Sequence, residues 1–401
     1  MRIIINECKK ILDIRIILLL CMFSILYYMT FTQIYRYPTG GQVTNTKYDI
    51  PFTAELVKEW GPKWKVKDEK QYQKKHQELE RGFAKIIKQD QELSKRGIVY
   101  YEIFNKKYEE LGQKTTLSKQ EKDLGKILEN YVFYNDQTSK IFLDLQALEH
   151  IREFQGSEYG VSDKKYKELK ADGFFDGTKL YQKAIEKRVK RDYISLVHEG
   201  VFYILQEDMV TIGGLIMICF FALIIPYQLK QLLRQDIPIL ETTKTGRRIY
   251  QIQLIASALV ALFVGILQMA VYGIIWHLKG LSVFWRCESW GIASNSYWCD
   301  KLSFGTYMLL YMALILLFAI ASIVIIDFIG RTIGNYMGAV AVSIPVCGVM
   351  MFLMRKIYYM LFLITNDQVL AYWELYALAT WLIVMLLFYK IRSKRWKKVD
   401  L

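Results

Sequence analysis

Five stretches of this chain run for about 20 residues or more without a single charge: Ile16–Tyr35, Met209–Leu229, Ile249–Trp276, Leu302–Ile326 and Thr332–Met354. A sixth, Leu370–Ile391, carries one acid, Glu374. The hydrocarbon layer of a bilayer is about 30 Å thick and a helix rises 1.5 Å per residue, so each run is long enough to span it. The stretch Ile357–Asn366 is apolar but too short to cross. Inside lipid every backbone N–H and C=O must be satisfied within the segment, so the expected form of all six is helix.

The 401 residues are 53% hydrophobic yet 23% charged, with a formal charge of +14. Both values fit one chain because charge and apolarity are segregated, with the charged residues concentrated between the first two apolar runs. A basic chain can be a nucleic-acid binder, but here the positives outside that insertion flank apolar runs, where membrane topology places them. No nucleic-acid partner is expected. The first run exceeds the usual core of a signal peptide and no small-x-small cleavage site follows it, so it reads as a retained span.

Lys and Arg cluster at the N-terminus (Arg2, Lys9, Lys10, Arg15), after the second run (Lys230, Arg234, Lys244, Arg247, Arg248) and at the C-terminus (Arg392, Lys394, Arg395, Lys397, Lys398). The positive-inside rule places all three in the cytoplasm, and two internal ends require an even number of crossings. The expectation is an all-α, polytopic protein of the cell membrane with six transmembrane helices and cytoplasmic termini. Residues 1–35 form an interfacial helix and the first span, 36–207 a mostly helical extracytoplasmic domain, and 208–398 spans two to six. Within the last part, 230–248 is a cytoplasmic loop and 357–366 re-enters or lies on the outer side. Arg355 and Lys356 then fall outside, against the charge rule. Ile4, Cys8, Ile11 and Leu12 share one face of a short N-terminal helix, which either lies in the interface or extends the first span.

The insertion has no cysteine and is long enough for its own core. Leu124, Leu128, Phe142, Leu145, Leu148 and Ile151 recur at three- or four-residue spacing, one buried helical stripe. Lys67–Lys88 repeats the pattern more weakly, Thr178–Leu205 is expected to run helically toward the second span, and Tyr37–Pro62, with three of the six prolines, reads as an extended entry. Its histidines, His76, His150 and His198, are far apart, and His198-Glu199 lacks the second histidine of a zinc HExxH site. They read as structural, and no metal or cofactor is expected. The run Lys187–Asp192 is a solvated face or meets lipid headgroups.

Cys8, Cys21, Cys219 and Cys347 sit in or beside apolar runs and read as packing residues. Cys287 and Cys299 flank an aromatic loop on the oxidising side, so they form either a disulfide or two free thiols. Ionisable residues within spans are few. Asp327 and Arg331 are spaced to pair across one helical turn, while Asp367 and Glu374 lie near the outer end. So uncharged an interior argues against a proton relay and for moving something amphipathic or flexible.

The most informative polar segment joins spans two and three and contains Asp236, Pro238, Leu240-Glu241-Thr242-Thr243-Lys244-Thr245-Gly246-Arg247 and Arg248. Physically it is a short helix-turn-helix. Together with the basic N-terminal helix, the six spans and the apolar stretch before the last, it resembles the permease subunits of the ATP-binding cassette (ABC) type-2 transporter family, over residues 1–35 and 208–398. The resemblance implies that ATP is bound and hydrolysed by a separate ATPase subunit. That subunit docks on the loop around Asp236, Glu241, Thr243, Gly246, Arg247 and Arg248, and two permeases, identical or related, assemble in the lipid. In agreement, the chain has no GxxxxGK[ST] phosphate loop. Its large insertion departs from the compact members and leaves the substrate open. Two other readings compete: an ABC-linked sensor or mechanotransmission module whose external domain is moved without transport, and a membrane-anchored enzyme. No nucleophile–base or carboxylate pair of recognisable spacing supports the enzyme.

Overall fold

A computed structural model of the protein describes residues 2–36, 46–65, 68–157, 171, 173, 176–189, 193–233, 249–289, 298, 301–365 and 367–399. Among them, six helices are long and apolar enough to cross a membrane: Ile14–Phe31, Glu199–Leu233, Ile249–Leu278, Phe304–Thr332, Tyr336–Tyr358 and Trp373–Ser393. The protein is an all-α, multi-pass membrane protein, its only described strands being two of three residues each. Six crossings leave the two ends of the chain at one end of the bundle, the basal end.

Helix α1 (Arg2–Ile11) is separate from the first span, α2 (Ile14–Phe31). Asp13 makes the break: its side chain accepts the Arg15 N–H at 3.0 Å, a cap at which α2 starts afresh. Ile11 packs with Leu223 and Tyr227 of the second span and Ala256 and Val260 of the third, so α1 lies across the bundle base. At the other end of α2, the short α3 (Gln33–Arg36) begins on Asp208, whose carboxylate accepts the N–H groups of Gln33 (2.5 Å) and Ile34 (2.9 Å).

The insertion comprises α4 (Thr46–Trp60), β1 (Lys63–Lys65), α5 (Glu69–Ile87), α6 (Gln91–Lys95), α7 (Tyr101–Gln113), α8 (Lys119–Glu129), a π-helical turn at Asn130–Tyr134, α9 (Asp136–Ser157), α10 (Lys179–Val189) and β2 (Tyr193–Ser195). The six stripe residues from Leu124 to Ile151 are all buried. Leu124, Leu128, Phe142 and Leu145 share a core whose aromatic centre is Phe83, Tyr101, Phe104 and Phe142, with ring centroids 5.2–6.2 Å apart, while Leu148 and Ile151 join the core that continues into the bundle.

Two expectations need correction. The entry is not extended throughout: α4 is helical with Pro51 inside it, in its second turn, at the loss of one intrahelical bond. Ile50, Thr53, Leu56 and Val57, at helical spacing, are its buried face. Nor is 178–205 one helix running into the second span. The chain leaves α10, pairs Tyr193–Ser195 antiparallel with Lys63–Lys65, and restarts at Glu199, where His198 Nδ1 accepts the Gly200 N–H at 2.9 Å. Long-range pairing overrides local propensity there. The side chains of Lys187–Asp192 lie outside the described residues.

The second span, α11 (Glu199–Leu233), is the hub, with 78% of its most apolar 18-residue stretch buried, and rises about 52 Å, well beyond the hydrocarbon layer. Its first turns therefore belong to the insertion. Around it stand α12 (Ile249–Leu278), the fourth span α13–α14 (Phe304–Ala321 and Ile323–Thr332, bent at Ser322), α15 (Tyr336–Tyr358) and α16 (Trp373–Val399). At Gly213 and Gly214 the hub is closely approached: a Cβ would meet the methyl ends of Met354 and Met351 at 2.7 Å, and at Gly213 also Ile315 Cγ2 at 2.9 Å. The fourth span reaches Thr332 and the fifth starts at Tyr336, because Asn335 caps the fifth through the Gly338 N–H at 2.6 Å.

Residues 359–372 do not cross. Their described residues form turns in which Leu361, Phe362 and Ile364 are buried, with Tyr307 of the fourth span donating to the Leu361 carbonyl at 3.0 Å. Phe362 (φ 62°) and Tyr372 (φ 55°) adopt left-handed backbone, costing roughly 1–3 kcal/mol each. Glu374 stabilises the bend by accepting the Phe362 N–H at 2.9 Å. Arg355, which sequence topology leaves at the wrong end for a basic residue, pairs with Glu207 at 3.5 Å.

Candidate functional site

Basic and amide side chains at the basal ends of spans meet buried carboxylates at the base of the bundle. Glu7 of α1 is buried there. It accepts from Lys10 Nζ (2.6 Å), from Gln231 Nε2 (3.1 Å) and from the Tyr227 hydroxyl. Gln231 Oε1 in turn accepts from Gln253 Nε2 at 2.5 Å. Tyr227 and Gln231 are one turn apart on the second span and face α1, whereas Gln228 points toward the fourth span.

Gln228 Nε2 donates to Asp327 Oδ1 at 2.6 Å. Arg331, one turn below Asp327, binds both of its oxygens through Nε at 2.9 and 3.0 Å. Arg392 of the sixth span adds a third donor at 3.2 Å. The two guanidiniums also lie over rings, Arg331 over Tyr250 (4.8 Å) and Arg392 over Phe328 (5.1 Å). A carboxylate buried in such a place is tolerable only with this degree of compensation.

The two limbs form one polar clasp. It joins α1, both stems of the loop between spans two and three, the fourth span and the sixth. Burial also raises the Cys8 thiol above its ordinary value, keeping it protonated beside the Ala256 carbonyl, 3.8 Å away. A displacement of either stem, at Gln231 or at Gln253, must break or carry these bonds.

Asp236, Glu241, Thr243, Gly246, Arg247 and Arg248 themselves lie outside the described residues, which stop at Leu233 and resume at Ile249. The expected pairing of Asp327 with Arg331 is present. Sequence reasoning missed Glu7, Gln228, Gln231, Gln253 and Arg392. The available signal was faint: three glutamines at the basal ends of otherwise apolar helices, and one acid in a basic N-terminal helix.

A second junction fastens the insertion to the far end of the bundle. Glu288, in the connection between spans three and four, accepts from Lys63 Nζ (2.7 Å) and the Tyr193 hydroxyl (2.9 Å), and its carbonyl accepts from Ser195 Oγ (3.1 Å). The hydrogen bond to Glu288 holds the Lys63 ammonium above the usual lysine range, against the opposing effect of burial. Next to it Cys287 is a buried free thiol, 3.7 Å from the Leu196 carbonyl and pushed up by burial to about 12. Cys299, its expected partner, lies outside the described residues. Among the described residues no group of His, Cys, Asp and Glu is arranged to hold a metal ion. His76 instead stacks on Tyr72 at 5.9 Å, 3.8 Å from Glu149.

No family model, curated protein or solved structure matches this chain.

Proposed function

We propose that this chain is the membrane-spanning permease subunit of an ATP-driven ABC transporter, exporting a peptide, lipid or other amphipathic compound, with ATP hydrolysed on a separate subunit. The basal end is then cytoplasmic in the cell membrane, as the basic clusters there favour. The observation that carries the reading is the buried clasp, which ties α1 and both stems of the 234–248 loop to the fourth and sixth spans. An ATPase that grips the loop differently in its open and closed states shifts the equilibrium of the bundle by that difference in affinity. Spans whose charges are confined to their ends suit an amphipathic cargo, and the loop's likeness to the type-2 permeases supplies the partner.

Co-purification tests it. The tagged chain is expected to bring down an ABC ATPase whose hydrolysis rate it alters, and charge reversal at Glu241 or Arg247 is expected to uncouple them. A chain that purifies alone from cells expressing such ATPases overturns the reading. Reporter fusions at Asn130 and after Leu401 check the orientation, with an external signal at the C-terminus counting against it.

A sensor or mechanotransmission module is the second reading, favoured by the Glu288 junction and by a second span that continues as one helix into the insertion. There the ATPase moves the external domain and no cargo crosses. Reconstituted ATPase stimulation without movement of any amphipathic substrate separates the two.

A further inference from the structure

The first span is the least buried of the six, at 11%, yet it is fastened through its inner face. Tyr28 donates to the Gln268 carbonyl at 2.8 Å, and Gln268 Nε2 donates to Ser24 Oγ at 2.9 Å. Lipidward of these bonds runs an open groove of about 480 Å³. Its walls are Leu20 and Ile25 of the first span, Leu223 of the second, and Val264, Val271 and Ile275 of the third. From Val264 to Ile275 the third span rises about 17 Å, close to one leaflet of the hydrocarbon layer. On the first span the lining runs from Ile17 to Tyr35, so the groove crosses most of the hydrocarbon layer and has one mouth at the end away from the termini.

At that mouth stands Tyr35, and the Lys279 ammonium lies 6.0 Å from its ring. A groove in this position is bathed by hydrocarbon, so its occupant is a chain of methylenes. A cation at headgroup depth, beside an amphipathic tyrosine, selects what the chain is attached to.

We propose that the groove between the first, second and third spans binds one acyl chain of an anionic phospholipid from the leaflet opposite the termini, with the headgroup phosphate on Lys279. The bound chain completes the packing of a span that the protein itself buries so little, so it acts as a specific ligand. The site does not depend on any coupling to ATP.

Native mass spectrometry of the full-length, delipidated protein mixed with equal amounts of phosphatidylglycerol and phosphatidylcholine tests the proposal. One phosphatidylglycerol per chain is expected to be retained, with a preference of about fivefold over phosphatidylcholine, the weight of one interfacial cation. Lys279→Gln is expected to erase the preference while leaving the chain's capacity for lipid. Val271→Trp, which fills the groove from a lipid-facing position, is expected to abolish retention of either lipid. Ile25→Trp does the same from the opposite wall, and serves if the first variant fails to fold. Equal retention of both lipids by the wild type, or wild-type retention by a folded groove-filling variant, overturns it.

Discussion

Gln231 and Gln253 meet side chain to side chain at 2.5 Å, one on each stem of the loop between the second and third spans, and both are buried. The contact closes the loop at its root. Through Gln231 it continues to Glu7, so the N-terminal helix is hydrogen-bonded to one stem and, through it, to the other.

A double-mutant cycle measures that contact. Gln231→Leu and Gln253→Leu each leave a buried amide short of a partner, at about 1–3 kcal/mol, whereas the double variant removes both and is expected to cost less than the sum. Thermal unfolding of the four purified proteins gives the coupling. Strict additivity means that the pair does not interact.

Asp327 compensates two guanidiniums at once. Asp327→Ala leaves Arg331 and Arg392 without their shared carboxylate in a buried site and is expected to destabilise by about 3–5 kcal/mol, read as a large fall in Tm. Pairing it with Arg392→Met is expected to restore part of the loss, since one unmatched charge is then removed.

Gly330 of the fourth span faces the second so closely that a Cβ there would lie 2.8 Å from Gln228 Cβ. That atom is near the backbone and cannot swing aside. Gly330→Ala is therefore expected to cost about 1–3 kcal/mol by overpacking and to disturb the Gln228–Asp327 bond. Gly273→Ala, which meets nothing within 4 Å, is the control and is expected to leave Tm unchanged or slightly raised.

The insertion carries its own pH response. Its Glu121 carboxyl is lowered to about 2, first by the hydrogen bond from Lys114 and then by bonds from Ser118. Asp90, which caps α6, is also lowered: bonds from Leu93, Tyr131 and Glu92 outweigh the upward pull of burial. Both pKa values are depressed on folding. Their contribution is thus present above the unfolded value of about 4 and lost as pH falls toward the folded one. Hydrogen exchange in the full chain, corrected for intrinsic rates, is expected to show α8 losing protection between about pH 4 and 2 and α6 losing it as pH falls below about 4. Glu121→Gln is expected to flatten that change in α8.

Glu288→Ala removes the acceptor for Lys63 and Tyr193 at the junction. Lys63 is partly exposed, so its ion pair counts for little, and the expected loss is about 1–2 kcal/mol, mostly from the tyrosine. Limited proteolysis is the sensitive measurement, with faster cleavage near β1 expected. An unchanged digest means that the Glu288 carboxylate is not needed to hold β1 in place.

The amino-acid sequence by itself determined the six crossings, the large insertion and the helical stripe of its core. Each of these is local: a span is a matter of run length against the bilayer, and the Leu124–Ile151 stripe is a matter of period. Even the Asp327–Arg331 pair lies within one turn. What only the tertiary structure decided is which polar side chains meet. Glu7 reaches Tyr227 and Gln231 across more than 200 residues, and Gln228 reaches Asp327 across 99. The same holds where Pro51 sits inside a helix and where Tyr193–Ser195 leaves helical periodicity to pair with Lys63–Lys65. Hydropathy says that a helix enters the membrane but not which face it turns to which neighbour. That choice belongs to packing around the second span, and it brings scattered glutamines, carboxylates and arginines into one clasp.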